Sequence, residues 1–172
     1  MRRVAKFEKV SLEQFKKDWI DTFGSYISDE AIIDIYKNIK LPKRSTRKSA
    51  GYDFFAPTHI VLEPTKTIKI PTGIRVKMED NWVLQIYPRS GLGFKYGIRE
   101  CNSVGIIDSD YFFSDNEGHI FIKLINDSSI CKTVDIPFGT AFVQGIFMEY
   151  GITVDDEADG IRNGGFGSTD KQ

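Results

Sequence analysis

Between residues 50 and 150 the chain changes character every few positions, and this limits the fold more than any other feature. Short runs rich in Val, Ile, Phe and Tyr are cut by Gly, Pro, Asn and Asp before a helical stripe can build. The runs fall at 51–56, 59–62, 67–70, 73–77, 82–87, 98–101, 105–107, 119–125, 133–136, 141–150 and 153–154. Many short strands in one body predict an all-β fold, a sandwich or a jelly roll.

Residues 1–40 read differently, as helix. Ser11 with Gln14 three residues later fits a capping box. Leu12, Phe15, Trp19, Ile20 and Phe23 follow at helical spacing, and Gly24 is a stop. Ser28 can cap a second helix, with Asp29 and Glu30 at its positive end. Ile32, Ile35, Tyr36 and Ile39 make its stripe, and Pro42 ends it. Two helices this short are marginal alone, so their apolar stripes should dock on the β body or a neighbouring subunit. The chain thus divides into a helical extension (1–40), a β-barrel (41–154) opened by a basic linker, and an arm (155–172). The arm is acidic, then Gly-rich, with too little apolar content to fold alone.

Charge and cysteine content narrow the function classes. There are 23 Lys and Arg against 24 Asp and Glu, a formal charge of −1. A general nucleic-acid binder would carry a basic excess, so none is expected as partner. Cys101 and Cys131 lie far apart, and with only two histidines, His59 and His119, a structural zinc site is disfavoured. Reduced thiols suit a cytoplasmic protein. The N-terminus lacks an apolar signal region, and no run is long enough for a membrane helix.

Four stretches carry potential chemistry. In 99–111, Val104 to Ile107 is cut by Gly105 and ends at Asp108, with Asn102 before it and Tyr111 after. Gly105 permits a tight hairpin or a close backbone approach to a ligand. Asn102 offers a donor and an acceptor to a planar heterocycle. Asp108 can hold and deprotonate a water. Tyr111 can pack flat on a sugar or base. In 50–53, Ala-Gly-Tyr-Asp places a second acid, Asp53, at a strand. In 88–93, Arg89 can clamp phosphate bidentately, Ser90 can donate to a bridging oxygen, and Gly91 lets backbone N–H groups close in. In the arm, Arg162, a Gly cradle, Phe166 and the hydroxyls of Ser168 and Thr169 stand together. This is not a P-loop, since Gly-Lys-Ser/Thr and a preceding strand are missing.

The order and content of these stretches resemble the trimeric dUTP pyrophosphatases (dUTPases) over about residues 41–169. Ala-Gly-Tyr-Asp (50–53) looks like the first family motif and Pro-Arg-Ser-Gly (88–91) like the second. Residues 102–111, with Gly-Ile-Ile-Asp-Ser-Asp-Tyr, look like the third. Residues 139–144 match the fourth weakly. Gly-Gly-Phe-Gly-Ser-Thr (164–169) looks like the fifth. The resemblance implies a jelly-roll homotrimer with shared sites that hydrolyses dUTP to dUMP and pyrophosphate with Mg²⁺. By that resemblance Asp108 is the general base, and Asp53 holds Mg²⁺ through water. Arg89, Ser90 and Gly91 contact the phosphates. Asn102 reads uracil, while the hairpin at Gly105 and Ile107 excludes a 5-methyl group. Tyr111 packs under the sugar and excludes a 2′-OH. Gln144 sits near the phosphates and the water. Phe166 stacks on uracil, and Arg162, Gly167, Ser168 and Thr169 close over the γ-phosphate. Asp110 is read as structural.

The departures from the family are specific. Six residues (112–117), not the usual one, separate Tyr111 from Gly118, and they read as a longer loop away from the reacting atoms. Ala141 stands where the fourth motif carries Arg. Arg162 is one residue closer to the glycines than usual, and Asp170 replaces a final Gly. The related dCTP deaminases carry a catalytic Glu in the strand after the third motif. Lys123 is there instead and cannot shuttle the proton. The alternative from another class is a regulatory protein that binds a partner through the helical pair or the long loop.

Overall fold

The computed structural model describes residues 2–129 and 131–162. In chain order the elements are β1 (Ala5–Lys9), α1 (Leu12–Phe23), α2 (Asp29–Asn38), β2 (Lys43–Arg44), β3 (Tyr52–Phe55), β4 (Ile60–Leu62), β5 (Thr67–Pro71) and β6 (Ile74–Met78). They continue with β7 (Trp82–Pro88), α3 (Ser90–Tyr96), β8 (Ile98–Glu100), β9 (Gly105–Ile107), a 3₁₀ turn (Ser109–Phe113), β10 (Phe121–Asn126), β11 (Val134–Ile136) and β12 (Ala141–Glu149). A five-stranded sheet runs β2-β3-β12-β7-β9 and a three-stranded sheet runs β5-β10-β8; β4 pairs β11 and β1 pairs β6. All these pairings are antiparallel. The all-β jelly-roll expectation holds.

Alternation along the strands explains the core. Ile122, Leu124 and Asn126 of β10 point inward while Lys123 points out. Phe54, Leu84, Ile86 and Val143 bury the inner face of the larger sheet against Ile70, Ile122 and Leu124 of the smaller one. Buried Asn126 is satisfied, donating to the carbonyls of Leu62 (2.9 Å) and Lys132 (2.8 Å).

The helices join this same core. Phe15, Trp19 and Ile32 are buried in the cluster that holds the strands together. Each such side chain contributes roughly 1.5–3 kcal/mol by leaving water. Ser11 and Ser28 cap α1 and α2 as expected, accepting from the N–H of Gln14 (3.1 Å) and Ala31 (3.3 Å). The capping box is not closed by Gln14, whose side chain donates to Asp18 at 2.8 Å. Glu117 takes that place, accepting from the N–H (2.7 Å) and the hydroxyl (2.6 Å) of Ser11. The long loop is therefore a clamp on the helical extension. Arg75 holds it from below, stacked on Phe112 at 3.9 Å and 3.8 Å from Glu117.

Three expectations about elements need correction. Residues 1–40 are not all helix, because β1 pairs with β6 from Ala5 opposite Met78 to Lys9 opposite Ile74. Residues 90–96 form helix α3, which ends at Gly97 with φ +64°. Residues 153–154 make no strand.

Candidate active site

The turn that leads into β9 is tight. The Ser103 N–H donates to the Glu100 carbonyl (3.1 Å) and the Val104 N–H to that of Asn102 (2.8 Å). Ser103 has φ +67°, in the left-handed region. Gly105 then passes so close to its neighbours that an added Cβ would lie 3.0 Å from Glu100 Oε2 and 3.2 Å from Ile86 Cβ. Glycine is the residue that permits this approach.

Beside the turn lies a cavity of about 330 Å³, lined by Glu100, Asn102, Gly105, Ile107, Asp108, Tyr111, Lys123 and Arg162 among others. This size suits a small planar ligand. The sequence-derived residues Asn102, Gly105, Ile107, Asp108 and Tyr111 are thus brought to one place. Asn102 is exposed at its rim, and Ile107 is buried in its wall. Asp108 sits where β9 gives way to the 3₁₀ turn, its side chain 42% exposed. Arg162 closes the rim, donating to Asp108 and, at 2.8 Å, to Asp110. In this structure Arg162 therefore contacts two carboxylates, and Asp110 has a partner beyond its own turn.

Tyr111 is anchored, not free. It is 4% exposed, its hydroxyl donates to the His119 carbonyl at 2.8 Å, and it accepts from Asn116 at 2.7 Å. Burial pushes its phenol above the ordinary value, so it stays a donor. His119 is fully buried. The Gly73 N–H donates to its Nε2 at 2.7 Å, which leaves the proton on Nδ1, and Nδ1–H donates to Asp18 at 2.5 Å. Burial works against the Asp18 carboxylate, but the bonds from His119 and Gln14 outweigh it and hold its pKa below the usual value. His119 thus ties α1 to the aromatic wall of the cavity, its ring bonded to Asp18 and its carbonyl to Tyr111. The loop expected to lie apart from the site supplies Asn116 to that wall.

The other sequence-derived residues gather elsewhere. Asp53 of β3 lies opposite Gln144 of β12, and Gln144 opposite Tyr87 of β7. Phe54 and Val143, their chain neighbours, point into the core, so Asp53 and Gln144 take the outer face of the sheet. Arg89 Nε stands 3.2 Å from Asp53 Oδ1, and Ser45 donates to Oδ2. Gly51 makes room for Gln144, whose Oε1 would be 2.5 Å from an added Cβ. Ser90 and Gly91 open α3 and are exposed, with nothing within 4 Å of a Cβ built on Gly91. None of Asp53, Arg89, Ser90, Gly91 or Gln144 lines the cavity beside Asp108.

No group of three or more His, Cys, Asp or Glu among the described residues could hold a metal. Both carboxylate oxygens of Asp53 are engaged in this structure, by Arg89 and Ser45. Phe166, Gly167, Ser168 and Thr169 lie outside the described residues.

A family model described as dUTPase matches residues 37–170. The chain belongs to the dUTPase family. The family's reaction is hydrolysis of dUTP to dUMP. This dUTPase is 42% identical over 143 residues to the deoxyuridine 5'-triphosphate nucleotidohydrolase of Lactococcus lactis, covering 80% of this chain and 94% of that one. Its fold matches the dUTPase of Streptococcus mutans with a TM-score of 0.63 and 31% identity, over 86% of this chain and 97% of that one. A mutant dUTPase from phage phi11 of S. aureus, which coordinates a structural Mg(II) ion, shares the fold at TM-score 0.61 and 18% identity, over 92% and 98% of the two chains.

Several residues around this dUTPase cavity escaped sequence reasoning. Asp18 and His119 are 101 positions apart, and nothing local signals their pairing. Glu100 is 2% exposed and its Oε1 has no hydrogen-bond partner among the described residues. Burial raises its pKa to about 8, only partly offset by the Gly105 N–H. The available signal was its position two residues after Ile98 in a short strand, which puts both on one face.

Proposed function

We propose that this dUTPase uses Asp108 as the general base for water attack on the α-phosphorus of dUTP. The observation that carries the reading is the convergence of Asn102, Gly105, Tyr111 and Asp108 on one base-sized cavity. A new bond forms between the water oxygen and the α-phosphorus. The α–β bridging bond breaks, the water's proton passes to Asp108, and pyrophosphate leaves as dUMP forms. Asn102 and the turn backbone read uracil, and the close wall of Gly105 and Ile107 leaves no room for a 5-methyl group. The anchored ring of Tyr111 presents a fixed face to the sugar and excludes a 2′-OH.

Arg89, Ser90, Gly91 and Gln144 hold the phosphates. Asp53 holds Mg²⁺ through its water shell, and the ion neutralises charge on the phosphate chain when bound. These groups face outward, on the other side of the sheet from the cavity. A homotrimer in which one chain's phosphate residues meet a neighbour's cavity reconciles the two faces. The arm, with Arg162, Phe166, Gly167, Ser168 and Thr169, closes over the bound nucleotide and excludes water. A reduced, cytoplasmic setting fits both exposed free thiols, Cys101 and Cys131.

The test is pyrophosphate release from dUTP, dCTP, dTTP and UTP, with Mg²⁺ and with EDTA. Metal-dependent release from dUTP alone is the expected result. Equal release from dTTP or UTP would overturn the roles given to Gly105, Ile107 and Tyr111.

A further inference from the structure

Glu100 is the one group in the cavity wall that the reaction above leaves unused and that is costly to keep. Its carboxyl lies against Gly105, with Leu124 directly opposite in the strand pairing. Oε2 lies close against Gly105, while Oε1 has no partner among the described residues and is screened from solvent. An apolar residue would fill the same position without leaving a polar atom unsatisfied.

The surroundings set its charge state. Around the same cavity the charged or titratable groups are Cys101, Asp108, Tyr111, Lys123 and Arg162. None donates to Glu100. Arg162 is committed to Asp108 and Asp110, and the adjacent Arg99 turns outward to Asp127 at 2.9 Å. A buried carboxyl without a cation is kept as the neutral acid. A neutral acid that no neighbouring side chain engages has one O–H to donate. It stands two residues before Asn102 and against the glycine that forms the turn.

We propose that Glu100 is a further base-reading residue, its carboxylic O–H donating to a carbonyl oxygen of the pyrimidine seated in the cavity. This rests on the reading that uracil binds beside Asn102 and Gly105. Uracil offers two carbonyl acceptors, and a pyrimidine seated against this wall would give the carboxylic O–H an acceptor. Loss of the proton turns the donor into a second acceptor facing a carbonyl, which is repulsive. Recognition of the base thus carries a pH limit set by one side chain, while Asp108 and the phosphate residues are not involved in it. Keeping a burial-neutralised acid as a donor is an established way to use such a group.

The experiment measures kcat and KM for dUTP between about pH 6 and pH 10 for the wild type, Glu100→Gln and Asn102→Ala. Glutamine keeps the shape, and its amide N–H₂ replaces the acid donor at every pH. The wild-type KM should rise roughly five- to tenfold as pH passes about 8, the worth of one hydrogen bond, with a smaller effect on kcat. In Glu100→Gln the KM should stay low across that range. Ionisation of uracil itself affects both proteins alike. Parallel profiles for wild type and Glu100→Gln overturn the proposal while Asn102→Ala still raises KM. An unchanged KM in Asn102→Ala overturns the placement of uracil, and the proposal with it. An infrared difference spectrum on adding dUMP gives an independent readout. The band of a protonated carboxylic acid should shift in the wild type and be absent in Glu100→Gln. No shift in the wild type overturns the proposal.

Discussion

The two clusters of chemically active side chains on this chain differ in how finished they are. The cavity beside β9 is built and braced by one chain. Tyr111 is tied through His119 and Asp18 to α1, and Gly105 is closed against Glu100 and Ile86. The cluster on the outer sheet face is open. Arg89 contacts Asp53, Ser90 and Gly91 are exposed, and nothing among the described residues covers them. On the proposed roles, base recognition needs exact shape, and a single folding unit encloses it. Phosphate binding needs charge and donors, which can be completed by an approaching surface.

The largest effect should come from Asp108, the proposed general base. Asp108→Asn should lower kcat by about 10²–10⁴ while melting within a few degrees of the wild type, because the side chain is half exposed and not part of the core. Near-normal turnover would remove Asp108 from the chemistry.

Next comes the brace. Asp18→Ala strands the buried Nδ1–H of His119 and should cost about 2–3 kcal/mol in denaturant unfolding. It should also weaken discrimination between dUTP and UTP, because the Tyr111 hydroxyl is held through His119. A loss of stability with unchanged discrimination would make the helical extension a structural support only.

A pH-dependent effect should come from Glu100, absent at acid pH and growing towards pH 8. Its folded pKa of about 8 lies above the unfolded value of 4.5. Between these values the folded state holds a proton that the unfolded state has lost, so stability falls as pH rises and levels off above about 8. Glu100→Gln should therefore match the wild type near pH 4 and exceed it near pH 8, by up to about 4 kcal/mol. Thermal melts at the two pH values check this, and equal melts at both would mean Glu100 is ionised in the fold.

Much of this was legible in the sequence. The β body follows from alternation and turn residues, and the helix starts from Ser11 and Ser28. The gathering of Asn102, Gly105, Asp108 and Tyr111 follows from their closeness in the chain. What was not legible depends on partners remote in sequence. β1 carries one large apolar side chain, Phe7, among Lys6, Glu8 and Lys9, so its strand character comes from pairing with β6. α3 contains Gly91 and Gly93, which argue against helix until tertiary contacts hold it. Glu117 closing the cap of α1 lies 106 positions from Ser11. Glu100 reads as a polar strand end, and only the fold reveals that it is buried.

The most direct measurement of the divided site mixes two damaged chains. Asp108→Asn lacks the base and keeps the phosphate face; Arg89→Ala lacks the phosphate clamp and keeps the base. Each alone should be nearly inactive. If every site joins one chain's cavity to a neighbour's outer face, random 1:1 trimers formed by co-refolding should recover about a quarter of wild-type activity, since each mixed trimer contains one intact site. Activity that stays at the mean of the two inactive parents would contradict a site shared between chains.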